Sequence, residues 1–178
     1  SYLVADEERC RYWRARVQTL GPGMKVGFCW RSSNLEGERA LSCTKLEEWS
    51  GLFAREGVHW VCLQYDDCAA ELAALKDHER RRVHRFDGVD YRDDLDEVSA
   101  LMKALDLVVS APTAVSIHAA AVGVPTWQLS YGADWQTHGR TDNPWLPSMR
   151  RFPRAWTESW QEVFERIGAE LDRLRAAA

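Results

Sequence analysis

Thr113 and Ser116 stand just behind the apolar run Leu107-Val-Val-Ser-Ala-Pro112, and hydroxyls at such a point can hold an anion. Residues 107–109 are consecutive apolar side chains, the pattern of a strand buried on both faces, and Pro112 with Thr113 ends it and opens a helix of small residues. Gly123 closes that helix and a new strand begins at Pro125. So short a parallel crossover puts the helix N-terminus at the carboxyl edge of a sheet, where free N–H groups and the positive dipole end favour an anion such as a diphosphate. Thr113 or Ser116 could equally serve only as the helix cap, and spacing alone leaves both roles open.

Other chemistries find less support. No Gly-x-Gly-x-x-Gly follows a strand and no Gly-x-x-x-x-Gly-Lys-Ser/Thr occurs, which argues against dinucleotide redox chemistry and P-loop hydrolysis. Asp94-Leu-Asp96 reads as an acidic first helical turn and not as a carboxylate pair bridging a divalent ion to a diphosphate. Cysteines 10, 29, 43, 62 and 68 form no C-x-x-C pair and are odd in number, so no metal and no disulfide framework is expected, and Cys29 and Cys62 read as small buried hydrophobes.

The elements that must position Thr113 alternate along the chain. A helix over 6–20 carries Cys10, Trp13, Val17 and Leu20 on one face; a strand over 25–30 follows, then a polar loop over 31–39. A helix over 44–55 is expected, capped by Thr44 with Glu47 completing a capping box, then a strand over 59–65, a helix over 67–76 and a weak strand over 82–86. Glu79-Arg-Arg-Arg82 reads as a solvated turn. An acidic turn at Asp93-Asp94 opens a helix with the stripe Leu95, Val98, Leu101, Met102 and Leu105, leading directly into the strand at 106. After a strand over 125–129, residues 130–153 read as a long irregular loop, and an amphipathic helix over 156–174 ends the chain. The expectation is an α/β fold: a Rossmann-like doubly wound parallel sheet of five strands with a C-terminal amphipathic helix.

The 178 residues suit one domain, and the opening at Ser1 without Met suggests a piece of a longer chain. A net charge of −4 disfavours a nucleic-acid polymer as partner. No signal peptide or run of 18 apolar residues occurs, so a cytoplasmic domain is expected, at the inner membrane surface only through the rest of the protein.

Residues 106–127, then Leu129-Ser-Tyr-Gly-Ala-Asp-Trp135 and Asn143-Pro-Trp-Leu-Pro-Ser-Met-Arg-Arg-Phe152, resemble the C-terminal half of a GT-B glycosyltransferase. Within that group the chain is similar to bacterial tetratricopeptide-linked glycosyltransferases and ADP-heptose lipopolysaccharide heptosyltransferases, and more distantly to O-linked N-acetylglucosamine transferase. The likeness extends through 25–30, Val58-His-Trp-Val-Cys-Leu-Gln64 and Asp93-Asp94-Leu95. It implies one lobe of a GT-B fold that binds a nucleotide sugar as substrate, with no cofactor, while a separate N-terminal lobe, with or without tetratricopeptide repeats, holds the acceptor.

Carried over by position, the resemblance places Thr113, Ala114, Val115 and Ser116 at the diphosphate and Leu63, Gln64, Asp94 and Leu95 near the base. Arg39, preceding Leu41-Ser-Cys-Thr-Lys-Leu-Glu-Glu-Trp49, becomes the catalytic cation that neutralises the leaving diphosphate, because cleaving a glycosyl–phosphate bond builds negative charge on the departing oxygen. Arg31 and Arg140 are weaker candidates for the same task, against a plain surface role. His118 stands one position after the histidine of many relatives, where this chain has Ile117, so it either faces the ribose or packs as an ordinary histidine. The aspartate that many heptosyltransferases carry just before the threonine is replaced at Ala111-Pro112, which weighs against heptose as donor. Asp134, Trp135, Gly139 and Arg140 fall on the loop beside the donor sugar, and Trp145 and Trp156 read as hydrophobic anchors. No general base is identifiable.

Two functions follow. One is the donor-binding domain of an inverting glycosyltransferase, which alone binds without turnover. The other is a non-catalytic Rossmann-like interaction domain that docks with tetratricopeptide helices or another subunit. A flavodoxin-like or receiver domain lacks its flavin loop or acidic pocket here.

Overall fold

The computed structural model describes residues 1–132, 140 and 143–177, with the side chains of Glu38 and Arg39 outside the description. Six parallel strands, β1 (Met24–Cys29), β2 (Val58–Cys62), β3 (Val83–His84), β4 (Leu107–Ser110), β5 (Thr126–Tyr131) and β6 (Met149–Arg154), form one sheet in the order β3-β2-β1-β4-β5-β6. Their side chains alternate between two cores. Val26, Phe28, Trp60, Cys62, Leu107, Val109, Trp127 and Leu129 share one core with Trp49 and Phe53 and with Phe164 and Ile167 of α7 (Trp160–Ala177). Cys29, Val61, Leu63 and Val108 share the other with Trp13 of α1 (Glu7–Gln18), Val98 and Leu101 of α5 (Leu95–Met102) and Ala119 of α6 (Ala114–Ala121). The expected Rossmann-like, doubly wound parallel sheet is present, with one strand more than expected.

That extra strand is β6, inside the segment read as loop. Met149 and Phe152 are buried while Arg150 and Pro153 are exposed, and Pro153 sits where only an edge strand tolerates it. The helix expected over 44–55 is instead a 3-10 turn, Leu46–Trp49, running into the single turn α2 (Ser50–Phe53). Thr44 does not cap it: its hydroxyl donates to the Trp30 carbonyl at 3.0 Å, and the Glu48 carboxylate accepts the Lys45 N–H. The helix expected over 67–76 contracts to α3 (Ala69–Ala73), and the basic run begins within a separate turn, α4 (Asp77–Arg80), whose Glu79 is buried against the Ser50 hydroxyl. Glu79 therefore anchors the start of that run, while Arg80 and Arg81 are exposed, as a solvated turn requires.

At the amino end of the sheet, His59 Nε2 donates to the Pro22 carbonyl at 3.0 Å, and in that neutral tautomer its Nδ1, 3.1 Å from His84 Nε2, accepts a hydrogen bond from His84. Burial, then the neighbouring His59 and Lys25, push the His84 pKa down from 6.5 to about 4. The unfolded chain thus binds the proton more readily across that interval, and stability should fall as pH drops from about 6.5 towards about 4. Thermal melts of His84→Gln should show a shallower dependence over the same interval than the parent does.

Candidate functional site at the fork between β1 and β4

The strand order reverses between β1 and β4, and the crevice beyond the carboxyl ends of such a pair is where doubly wound sheets bind ligands. Cys29 and Ser110, the last residues of the two strands, are register partners, and the Ala111 N–H extends the pairing by donating to the Cys29 carbonyl at 2.8 Å. Thr113 then caps α6: its hydroxyl accepts the Val115 N–H at 3.3 Å, so the cap role is realised. The Ser116 hydroxyl donates to the Thr113 carbonyl at 2.9 Å and accepts the Gln128 side-chain amide at 2.9 Å. Both hydroxyls face inward. Ala114, the first residue of the helix, is exposed, and the first-turn amides there have no partners within the helix itself.

Beneath the cap lies a buried polar seam. The Cys29 thiol is 3.2 Å from Gln64 Oε1 and 3.7 Å from the Thr113 hydroxyl; burial pushes its pKa up to about 12, so it stays protonated and can donate. Gln64, fully buried, donates through Nε2 to the Arg31 carbonyl at 3.0 Å and to Asp66 Oδ1 at 2.7 Å. The structure therefore gathers Thr113, Ser116, Gln64 and the Arg31 backbone at one corner. The Arg31 guanidinium is held by Asp66 and Glu71 and reaches the Asp67 carbonyl at 3.2 Å; the hydrogen bond to Glu71 is the main reason its pKa is raised. Two carboxylates around one guanidinium leave that cluster net negative.

Other residues singled out from the sequence lie further apart. Leu63 is buried in the core against α5, and Val115 is buried in the same core. Asp94 caps α5 by accepting the Glu97 N–H at 3.0 Å and pairs with Arg9 at 3.4 Å, while Leu95 beside it is 58% exposed. His118 Nε2 lies 2.6 Å from the Ser99 hydroxyl on α5, and burial lowers its pKa, so it packs between the helices as a neutral ring. Arg140 is exposed. The backbone of Arg39 belongs to the 3-10 segment Gly37–Ser42, and the Tyr131 N–H donates to the Ser42 hydroxyl at 3.1 Å, which ties that segment over the carboxyl end of β5. The Arg39 side chain, like Asp134, Trp135 and Gly139, lies outside the described residues.

Trp145 and Trp156 are 62% and 79% exposed, so neither is a buried anchor, while Leu146 and Trp160 beside them fill the core; Trp156 still rests edge-on against Tyr131 of β5, with ring centres 5.1 Å apart. Cys29, Asp66, Ser110 and Gln128 went unrecognised in the sequence. Gln128 alone carried a signal, since an amide within Thr-Trp-Gln-Leu-Ser must find a partner once buried. Among the described residues, no three His, Cys, Asp or Glu side chains group as a metal site, and no helix is long and apolar enough to cross a membrane.

No protein-family model matches the chain. It is 35% identical over 171 residues to Protein FlbA of Caulobacter vibrioides, an alignment covering 96% of this chain and 29% of that protein. The fold superposes on ADP-heptose lps heptosyltransferase II of E. coli with a TM-score of 0.65 at 18% identity, over 99% of this chain and 54% of that one. It also superposes on the family 9 glycosyl transferase of Veillonella parvula, with a TM-score of 0.57 at 15% identity, over 94% of this chain and 47% of that one. The chain thus spans under a third of the curated relative and about half of each solved structure. Its fold is a glycosyltransferase-like, Rossmann-type α/β fold.

Proposed function

We propose that this chain is the donor lobe of an inverting GT-B glycosyltransferase, binding a nucleoside-diphosphate sugar as substrate with its diphosphate over the start of α6. One observation carries the reading: at the β1/β4 fork an eight-residue helix points its N-terminus, with the exposed Ala114, across the carboxyl edge of the sheet. The inward-facing hydroxyls of Thr113 and Ser116 hold that helix start rigid, and the backbone amides do the binding. Arg39 supplies the cation for the leaving diphosphate and Arg140 a second one, while Leu95 and Asp94 flank the base. Acceptor and general base belong to the rest of the protein, with or without tetratricopeptide repeats, since the chain matches about half of each solved glycosyltransferase. Neither a metal nor a further cofactor enters this scheme, and the lobe works on the cytoplasmic side.

Calorimetry with UDP, GDP and ADP tests it. Micromolar binding of one nucleotide, lost in Arg39→Ala, is the expected result. Failure of all three to bind would favour a non-catalytic docking domain, a reading that the exposed Trp145 and Trp156 support.

A further inference from the structure

Cys62 ends β2 and Cys68 precedes α3, and the loop between them turns back so that their sulfurs lie 4.0 Å apart, both buried. Arg85, just past β3, reaches this pair from the side. Its Nη1 lies 3.3 Å from Cys62 Sγ and 3.4 Å from Cys68 Sγ, and donates to the Gln64 carbonyl at 2.7 Å; the guanidinium carbon sits 4.4 Å from the centre of the Tyr91 ring. A guanidinium set against two touching thiols stabilises one of them as a thiolate with a resolving thiol beside it. We propose that Cys62 and Cys68 form a reversible dithiol–disulfide pair, a modification site that takes a hydroperoxide as its oxidant.

The roles of the two sulfurs differ. Burial opposes a charge on Cys62, yet the hydrogen bond from Cys68 and the Arg85 charge outweigh it and hold its pKa below that of an ordinary thiol. Cys68 is held well above, first by that same hydrogen bond and then by burial. The Cys62 thiolate attacks the peroxide, the O–O bond breaks, and the alkoxide leaves and takes up a proton, giving a sulfenic acid on Cys62. Cys68 then attacks that sulfur, and the expelled hydroxide departs as water with the Cys68 proton. Two thiols and one hydroperoxide become one disulfide, one alcohol and one water. Closure brings the sulfurs to about 2 Å. Access comes through α3, five residues with none fully buried, whose local opening uncovers Cys68 as Glu71 releases Arg31.

The pair stands independently of any nucleotide, so its test reads cysteine chemistry alone. The whole chain is titrated with hydrogen peroxide, alkylated and cleaved after Lys and Arg; residues 56–76 then carry both cysteines on one peptide. That peptide should escape alkylation and weigh about 2 Da less than its free dithiol, reversibly with dithiothreitol, before the more exposed Cys43 reacts. Arg85→Gln should slow the loss by about tenfold, and Cys68→Ser should turn it into oxygen addition at Cys62. Oxidation of Cys43 while the 56–76 peptide stays reduced, or oxygen addition at Cys62 without a link in the parent chain, would overturn the proposal.

Discussion

Ala114→Glu should abolish nucleotide binding while leaving the fold as stable as before or slightly more so. Ala114 is the first residue of α6 and is exposed, so a glutamate there meets the positive end of the helix dipole, a placement worth about 0.3–1 kcal/mol in favour of folding. A diphosphate in the same place would face that carboxylate at close range. At about 4 Å and an effective dielectric near 20, one such pair of like charges costs about 4 kcal/mol, or roughly a thousandfold in affinity. The two effects have opposite signs, which separates the site from the scaffold. Thr113→Val would not, because the Thr113 hydroxyl caps Val115 and its loss alone costs about 1 kcal/mol of helix stability. Calorimetry and a thermal melt on Ala114→Glu, with Ala114→Gln as the neutral control, read both quantities. Parent-like affinity in the glutamate variant would remove the diphosphate from α6.

The fold was legible where burial on both faces writes a long apolar word. Residues 107–109 announce β4, and Val98, Leu101 and Met102 announce α5, because each must fill a core position. Edges write less. β6 buries two of its six residues, three apart, and carries three arginines and a proline, so without a two-residue alternation it reads as loop until β5 is there to pair with it. The segment around Trp49 failed for a different reason. Thr44-Lys-Leu-Glu has the letters of a capping box, but the Thr44 hydroxyl finds a stronger claim in the Trp30 carbonyl, a contact that exists only once β1 is in place.

The site divides along the same line. The start of α6 could be located from Pro112-Thr113, since local chemistry dictates it. The seam under it could not: Cys29, Gln64 and Thr113 meet from three strand ends, and nothing in Phe-Cys-Trp marks that cysteine as a hydrogen-bond donor. Arg31 shows the reverse case. An arginine on a loop after a strand reads as a plain surface residue or, less readily, an anion ligand, and the Asp66 and Glu71 that pair with it arrive from the far side of the next strand.

Trp49→Ala is expected to cost about 3–5 kcal/mol, a large share of the roughly 5–15 kcal/mol that holds a typical domain folded. Trp49 is fully buried among Phe28, Phe53, Trp60 and Phe164, with ring centres 5.0 to 6.1 Å away, so the truncation opens a cavity that four rings would have to collapse to fill. Its indole N–H also donates to the Thr44 hydroxyl at 2.8 Å, which in turn donates to Trp30. That chain of two hydrogen bonds pins the return end of the loop that carries Arg39. Truncation therefore frees a loop of the site as well as hollowing the core. Urea unfolding should show a midpoint well below that of the parent at an unchanged slope, and Trp49→Phe, which keeps a ring but not the N–H, should fall between the two. A loss under about 1 kcal/mol in Trp49→Ala would mean that the aromatic cluster does not hold this face of the sheet.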